Sequence, residues 1–263
     1  MKYSTVGSVL RATQALCLQL CQRETLEQGI AYYSQRFAAL PEANQFREVI
    51  AQDRDQVGRA FDQAGRWFAE LGLACLRWAP AEGIPTPDME EFLTGKGFEA
   101  REYSAMTLVN WPEAPPGDKV RVVPARAARG AYRRTYVDAD LPNSPEARAM
   151  RAEAYNERLD DPQYDGLVAL VGDKPAGSCA LYQVGDIALV TDLAVMPGYL
   201  DSSVDTALVC HALALARRIA MRRIAAVAAI GGARGFQWFE RLGFVPDGKI
   251  VEFERPTSSA GRV

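Results

Sequence analysis

Histidine is almost missing from this chain, with one residue, His211, in 263. Any site built on two or more histidines is therefore excluded. Cysteine is nearly as scarce. Cys17, Cys21, Cys75, Cys179 and Cys210 are odd in number and scattered, which fits reduced thiols and not a disulfide framework. Cys17 and Cys21 would share a helix face, but no second pair completes a metal set, so they read as small buried hydrophobes and no metal is expected. Long apolar runs are lacking too: nothing approaches the ~20 consecutive apolar residues of a membrane span. The N-terminal stretch is interrupted by Arg11 and Gln14, so it reads as an amphipathic helix and not as a secretory leader, with a cytoplasmic location expected. Excess charge is also absent. Thirty Lys+Arg against 33 Asp+Glu give −3, no field to hold nucleic acid or an anionic membrane.

What is present is an ordinary globular composition, 48% hydrophobic and 24% charged, in a chain longer than a typical domain of roughly 100–200 residues. Three prolines and a glycine between Asn110 and Gly117 read as a linker, dividing the chain into a first half (1–110), a linker (111–117) and a second half (118–263). Each half closes with the same succession of helix, short apolar strand, helix and strand. The phrases EEFLTGKGF and FQWFERLGF both stop a helix at Gly-Phe, with Gly97 and Gly243 suited to the left-handed stop position and Phe98 and Phe244 re-entering a core. The repeated order points to a duplication.

The second half has the clearer pattern. KVRVVPA alternates as a strand, and helical stretches follow at about 127–137 and 144–159. GLVALVG and PAGSCALYQV form a hairpin about Asp173-Lys174. DIALVTDLAVMP is apolar on both faces, the mark of a central strand. Beyond it Val204, Leu208, Ala212, Leu215 and Ile219 recur at helical spacing, one stripe against a sheet.

The phrases TDLAVMPGY and FQWFERLGF, in this order and with a helix starting at this distance from Pro197, resemble the GNAT superfamily of N-acyltransferases, and the two-half layout is similar to its tandem members. The resemblance implies an α+β fold of two GNAT-like halves, each a twisted mixed sheet flanked by helices. It implies transfer of an acetyl or other acyl group from acyl-CoA, as co-substrate, to a small-molecule or peptide amine; homodimerisation is left open. Backbone groups of Leu193, Ala194 and Val195 would hold the acyl-pantetheine arm. The loop and first helical turn, Asp201, Ser202, Ser203, Val204, Asp205 and Thr206, would face the phosphates, since a helix N-terminus binds them through unpaired N–H groups. Asp192, on the strand face of Ala188, Val190 and Ala194, is expected to be the general base, its carboxyl raised by apolar neighbours.

The sequence also departs from the family pattern. Where the phosphate loop runs Arg/Gln-x-x-Gly-x-Gly/Ala, this chain has Leu200, Ser203 and Asp205. A carboxylate in the first helical turn suits the macrodipole but competes with phosphate for the same N–H groups. Phe239 stands where an acid tyrosine is frequent and has no proton to donate. These departures favour a rival expectation, a non-catalytic module keeping the same cleft for a ligand or partner. His211 and the tyrosines Tyr103 and Tyr182 read as packing residues, and IGGARGF, broken at Ala233, as a flexible corner and not a dinucleotide loop.

Overall fold

The computed structural model describes residues 4–112, 119–139, 144–200, 203–230 and 235–256. The chain opens with α1 (Thr5–Leu18), followed by β1 (Gln22–Leu26), β2 (Gly29–Tyr33) and β3 (Gln45–Val49). Periodicity did not announce these three strands. β1 is exposed along nearly its whole length, and β3 buries Gln45 and Arg47 beside Phe46 and Val49, so neither strand alternates. Next come α2 (Arg54–Glu70), β4 (Arg77–Pro80), α3 (Pro87–Gly95) and β5 (Glu99–Leu108). Asp53 caps α2 by accepting from Gln56 N, and Val57, Ala60, Ala64 and Phe68 form its buried stripe.

The second half runs β6 (Val120–Pro124), α4 (Arg129–Val137), α5 (Pro145–Arg158), β7 (Tyr164–Val171), β8 (Lys174–Val184), β9 (Ile187–Val195), α6 (Val204–Arg218), β10 (Arg223–Ala229), α7 (Phe236–Arg241) and β11 (Phe244–Glu254). The helices and strands expected here are all present. Gly97 and Gly243 take φ of 83° and 86° at the ends of α3 and α7, and Phe98 and Phe244 are buried, as the Gly-Phe stops require.

The chain forms two compact units. One comprises the chain to Ala12 with Ser104–Gly248, the other Thr13–Tyr103 with the chain from Lys249. In the smaller unit the strand order is β1-β2-β3-β4 and then the end of β11. β3 and β4 are parallel, and Phe253 of β11 lies opposite Trp78 of β4. Its core holds Phe46, Phe68, Trp78, Met89, Phe98 and Phe253. Burying Arg47 and Arg77 in this sheet would be costly without partners. Arg47 Nη1 meets Glu252 2.8 Å away, and Arg77 Nη2 meets Glu254 at 2.7 Å. Burial raises the Glu252 carboxyl, but Arg47 and Arg77 outweigh it and hold it below its ordinary value.

In the larger unit the strand order is β5-β10-β9-β8-β7-β6. β6 to β9 form an antiparallel meander and β10 joins β9 in parallel. Ile187 to Val190 of β9 are buried throughout, as expected of a central strand. α6 buries most of its length, from Val204 to Ala216, in the same core as β8 and β9. Gly177 of β8 permits this closeness: a Cβ there would stand 2.7 Å from Ala194 O and 3.0 Å from Val204 Cγ1.

Candidate active site

The β9–β10 ladder stops halfway. Its register runs from Ile187 opposite Arg223 to Val190 opposite Ala226, although β9 continues to Val195. The interruption coincides with a β-bulge. Thr191 pairs with Ala180 and Ala194 with Ser178, so one residue of β8, Cys179, faces two of β9, Asp192 and Leu193. Asp192 takes φ of 54°, a left-handed conformation that a non-glycine adopts at some cost. Beyond the bulge Met196 N donates to Ala176 O. In an antiparallel ladder this places Ala194 toward β8 and turns the N–H and C=O groups of Leu193 and Val195 to the side where β10 no longer pairs. β9 therefore presents main-chain groups to the side on which the β9–β10 ladder has ended.

A polar cluster fixes the bulge. Arg158 Nη1, at the end of α5, donates to Asp192 Oδ2 at 2.9 Å, and the Tyr164 hydroxyl donates to the same oxygen at 2.6 Å. The Tyr136 hydroxyl donates to Asp192 O at 2.7 Å, and the Tyr132 and Tyr164 hydroxyls lie 2.7 Å apart. Thr135 and Ser178 share a further hydrogen bond of 2.7 Å. The bulge turned Asp192 away from the apolar face that strict alternation implied; its neighbours are a guanidinium and a phenol. Burial first, and then the nearby Asp192 charge, pushes the Tyr164 phenol well up, and burial likewise raises Tyr132 and Tyr136. All three stay protonated as donors. Arg158, Tyr132, Tyr136 and Tyr164 were missed in the sequence. Its one signal was Tyr132 and Tyr136, four apart on one helix face.

β9 leads to the amino end of α6. After β9 a single turn, Pro197–Tyr199, carries the chain toward it. Asp201 and Ser202 lie outside the described residues. Ser203 occupies the N-cap position without a side-chain cap bond. Val204 is buried against Gly177. Asp205 is buried, and its Oδ1 accepts from Thr206 N at 2.7 Å and from Thr206 Oγ1 at 3.4 Å. A carboxylate thus stands on a main-chain N–H of the first turn, the donor type a phosphate needs. The Leu193 side chain is half-buried, and Ala194 and Val195 are buried. The expected base, the strand backbone and the helix start are thus contiguous along β9 and its exit.

The remaining candidates stand elsewhere or are packing residues. Phe239 is buried against Trp238 and Phe244. Tyr182 is buried beside Tyr164, Tyr103 belongs to the smaller unit, and His211 is exposed on α6. Among the described residues no group of three or more His, Cys, Asp or Glu side chains could hold a metal ion, and no helix is long and apolar enough to cross a membrane.

Residues 128–244 match the family described as Acetyltransferase (GNAT) family. Residues 128–244 are a GNAT-family domain. Solved structures extend the likeness of fold over both halves. A conserved protein of unknown function from Staphylococcus epidermidis ATCC 12228 matches with a TM-score of 0.70 and 14% identity, over 90% of this chain and 94% of its own. A GCN5-related N-acetyltransferase from Kribbella flavida matches with a TM-score of 0.64 and 13% identity, over 99% and 98%. A tandem GNAT protein from the clavulanic acid biosynthesis pathway matches with a TM-score of 0.50 and 14% identity, over 79% and 70%. No curated protein matches the sequence. The GNAT fold supports acyl transfer in general, and the likeness of fold spans both halves.

Proposed function

We propose that the protein transfers an acyl group from acyl-CoA to an amine of a small molecule or peptide, in the larger unit. The observation that carries this reading is the end of the β9–β10 ladder at Val190 and Ala226, which leaves the Leu193 and Val195 main-chain groups beyond the ladder and open to a ligand in this reading. Acyl-CoA, when bound, supplies the activated acyl group as a thioester. The N–H groups of Leu193 and Val195 orient the pantetheine arm and the acyl carbonyl, with Ala194 between them, a role suited to preorganised main-chain donors. Ser203, Val204 and Thr206 contribute the helix start, with Asp201 and Ser202 preceding it.

Asp192 is the proposed acceptor of the amine's proton. Its Oδ2 already takes bonds from Arg158 and Tyr164, whereas among the described residues Oδ1 meets only the Thr191 hydroxyl, at 3.3 Å. The proton is therefore assigned to Oδ1. The test is calorimetric titration of the full chain with acetyl-CoA, followed by thiol release across a panel of amines. Binding, with turnover that Asp192→Asn lowers about 10²–10⁴-fold while acetyl-CoA affinity holds, is the expected result. Unchanged turnover in Asp192→Asn removes the base role. An absence of binding at millimolar acetyl-CoA removes the acyltransferase reading.

One observation favours a second reading, a ligand-binding module without catalysis. The Asp205 carboxylate occupies the Thr206 N–H, and Phe239 offers no acid. Binding of acetyl-CoA without turnover on any amine is its signature.

A further inference from the structure

The smaller unit contains a cavity of about 180 Å³ that the acyl-transfer reading does not use. It lies between α2, the segment leading into β4, and the start of β5. Its walls are aromatic: Phe61, Trp78 and Phe98, with Cys75 beside them. Phe61 stacks on Trp78 with centroids 5.8 Å apart, and its ring meets Phe98 edge-on at 6.4 Å. A space of this size is on the scale of one aromatic ring, since an apolar cavity of about 150 Å³ holds benzene.

Two further features, a buried indole and an exposed guanidinium, distinguish it from a packing gap. Trp78 is 1% exposed, and its buried indole Nε1–H finds no oxygen or nitrogen acceptor among the described residues, only the weakly accepting Cys75 sulfur. Sulfur is a poor acceptor, so a ligand oxygen would satisfy this donor better. Arg255 is exposed at the cavity, its guanidinium 4.8 Å from the centre of the Phe98 ring. No carboxylate pairs with it among the described residues, unlike Arg47 and Arg77 in the same unit. Gly65 stands in the middle of α2, where glycine weakens a helix. Gly65 is exposed and a Cβ there would meet nothing within 4 Å, so a larger side chain can be placed at the rim of the cavity without a clash. The thiol adds no negative charge. Burial pushes Cys75 up to about 12, so it stays neutral near pH 7.

We infer that this cavity is a binding site for a small planar aromatic carboxylate, its ring between Phe61, Trp78 and Phe98 and its anionic group on Arg255. The walls select an apolar ring, the buried indole N–H asks for an acceptor, and the unneutralised guanidinium asks for an anion. The site lies in the smaller unit and uses none of Asp192, Leu193 or Asp205, so it stands or falls apart from the acyl-transfer reading.

The test uses the full chain and benzoate, with benzamide and cyclohexanecarboxylate as neutral and non-planar controls, read by calorimetry and melting temperature. Benzoate should bind and raise the melting temperature, and both controls should bind more weakly. Arg255→Gln should weaken benzoate about tenfold while leaving benzamide unchanged. Gly65→Leu should abolish binding of both without lowering the melting temperature. No binding at millimolar benzoate, or affinity unaffected by both variants, overturns the inference. If Gly65→Leu fails to fold, the Arg255→Gln contrast between benzoate and benzamide decides alone. Tighter binding of cyclohexanecarboxylate than of benzoate overturns the aromatic assignment.

Discussion

The Arg158 guanidinium and the Asp192 carboxylate lie 2.9 Å apart, with side chains only 2% and 8% exposed. The pair joins the last turn of α5 to the one non-glycine residue of β9 in a left-handed conformation. It holds the bulge that ends the β9–β10 ladder. Removing one partner leaves the other charged and buried, which costs about 3–5 kcal/mol. Arg158→Met should therefore destabilise the protein by that amount in urea unfolding. The double variant Arg158→Met/Asp192→Leu should recover much of the loss, because no charge is then stranded.

Asp205 tests the electrostatics of the helix start. Two like charges ~4 Å apart repel by up to about 4 kcal/mol at an effective dielectric near 20, before screening. Asp205→Asn and Asp205→Gly should both tighten acetyl-CoA binding, by about tenfold or more, in a titration at fixed ionic strength. Raising the salt should narrow the gap between variant and wild type. A folded variant of unchanged affinity would show that the carboxylate does not oppose the phosphates.

Gly243 and Gly177 both stand at close approaches. At Gly243, φ is +86° and a Cβ would come 1.8 Å from Asn110 O, while Gly243 O accepts from both Val109 N and Asn110 N. Gly243→Ala should cost about 3 kcal/mol or more. Gly177→Ala presses on Ala194 O and on Val204, the first residue of α6. It should cost about 1–3 kcal/mol and lower acetyl-CoA affinity as well, whereas Gly243→Ala should act on melting temperature alone.

Acid should weaken the smaller unit through Glu252. Burial raises its carboxyl, and Arg47 and Arg77 more than reverse that, so the folded value lies below the ordinary 4.5. The stabilisation is present above 4.5 and disappears as pH falls through the lower folded value. Unfolding free energy measured from pH 6 downward should decline below that point. Glu252→Gln should start lower, with Arg47 and Arg77 deprived of a charge, and should decline less steeply.

The sequence carried most of the larger unit because its strands and helices obey simple periods. The β7–β8 hairpin, β9 and α6 are all written as apolar alternation, an apolar run or a 3.6-residue stripe. The bulge was illegible for the same reason: a period of two places Asp192 among Ala188, Val190 and Ala194, and one inserted residue breaks that register. Its partner Arg158 is 34 positions away on a polar helix with nothing local to mark it. β3 was hidden by its own chemistry. Gln45 and Arg47 look exposed until Glu252, about 200 residues later, neutralises the arginine. The Asp205 substitution was visible in the sequence; that its carboxylate closes on Thr206 N required coordinates.

The carboxylates that neutralise Arg47 and Arg77 come from β11, at the far end of the chain. A fragment stopping after the first half would strand both guanidiniums in a dry sheet and leave β4 without its neighbour at Trp78. Excision of the first half for separate expression is thus self-defeating, and a gene fusion or circular permutation must keep the last strand with the first hundred residues.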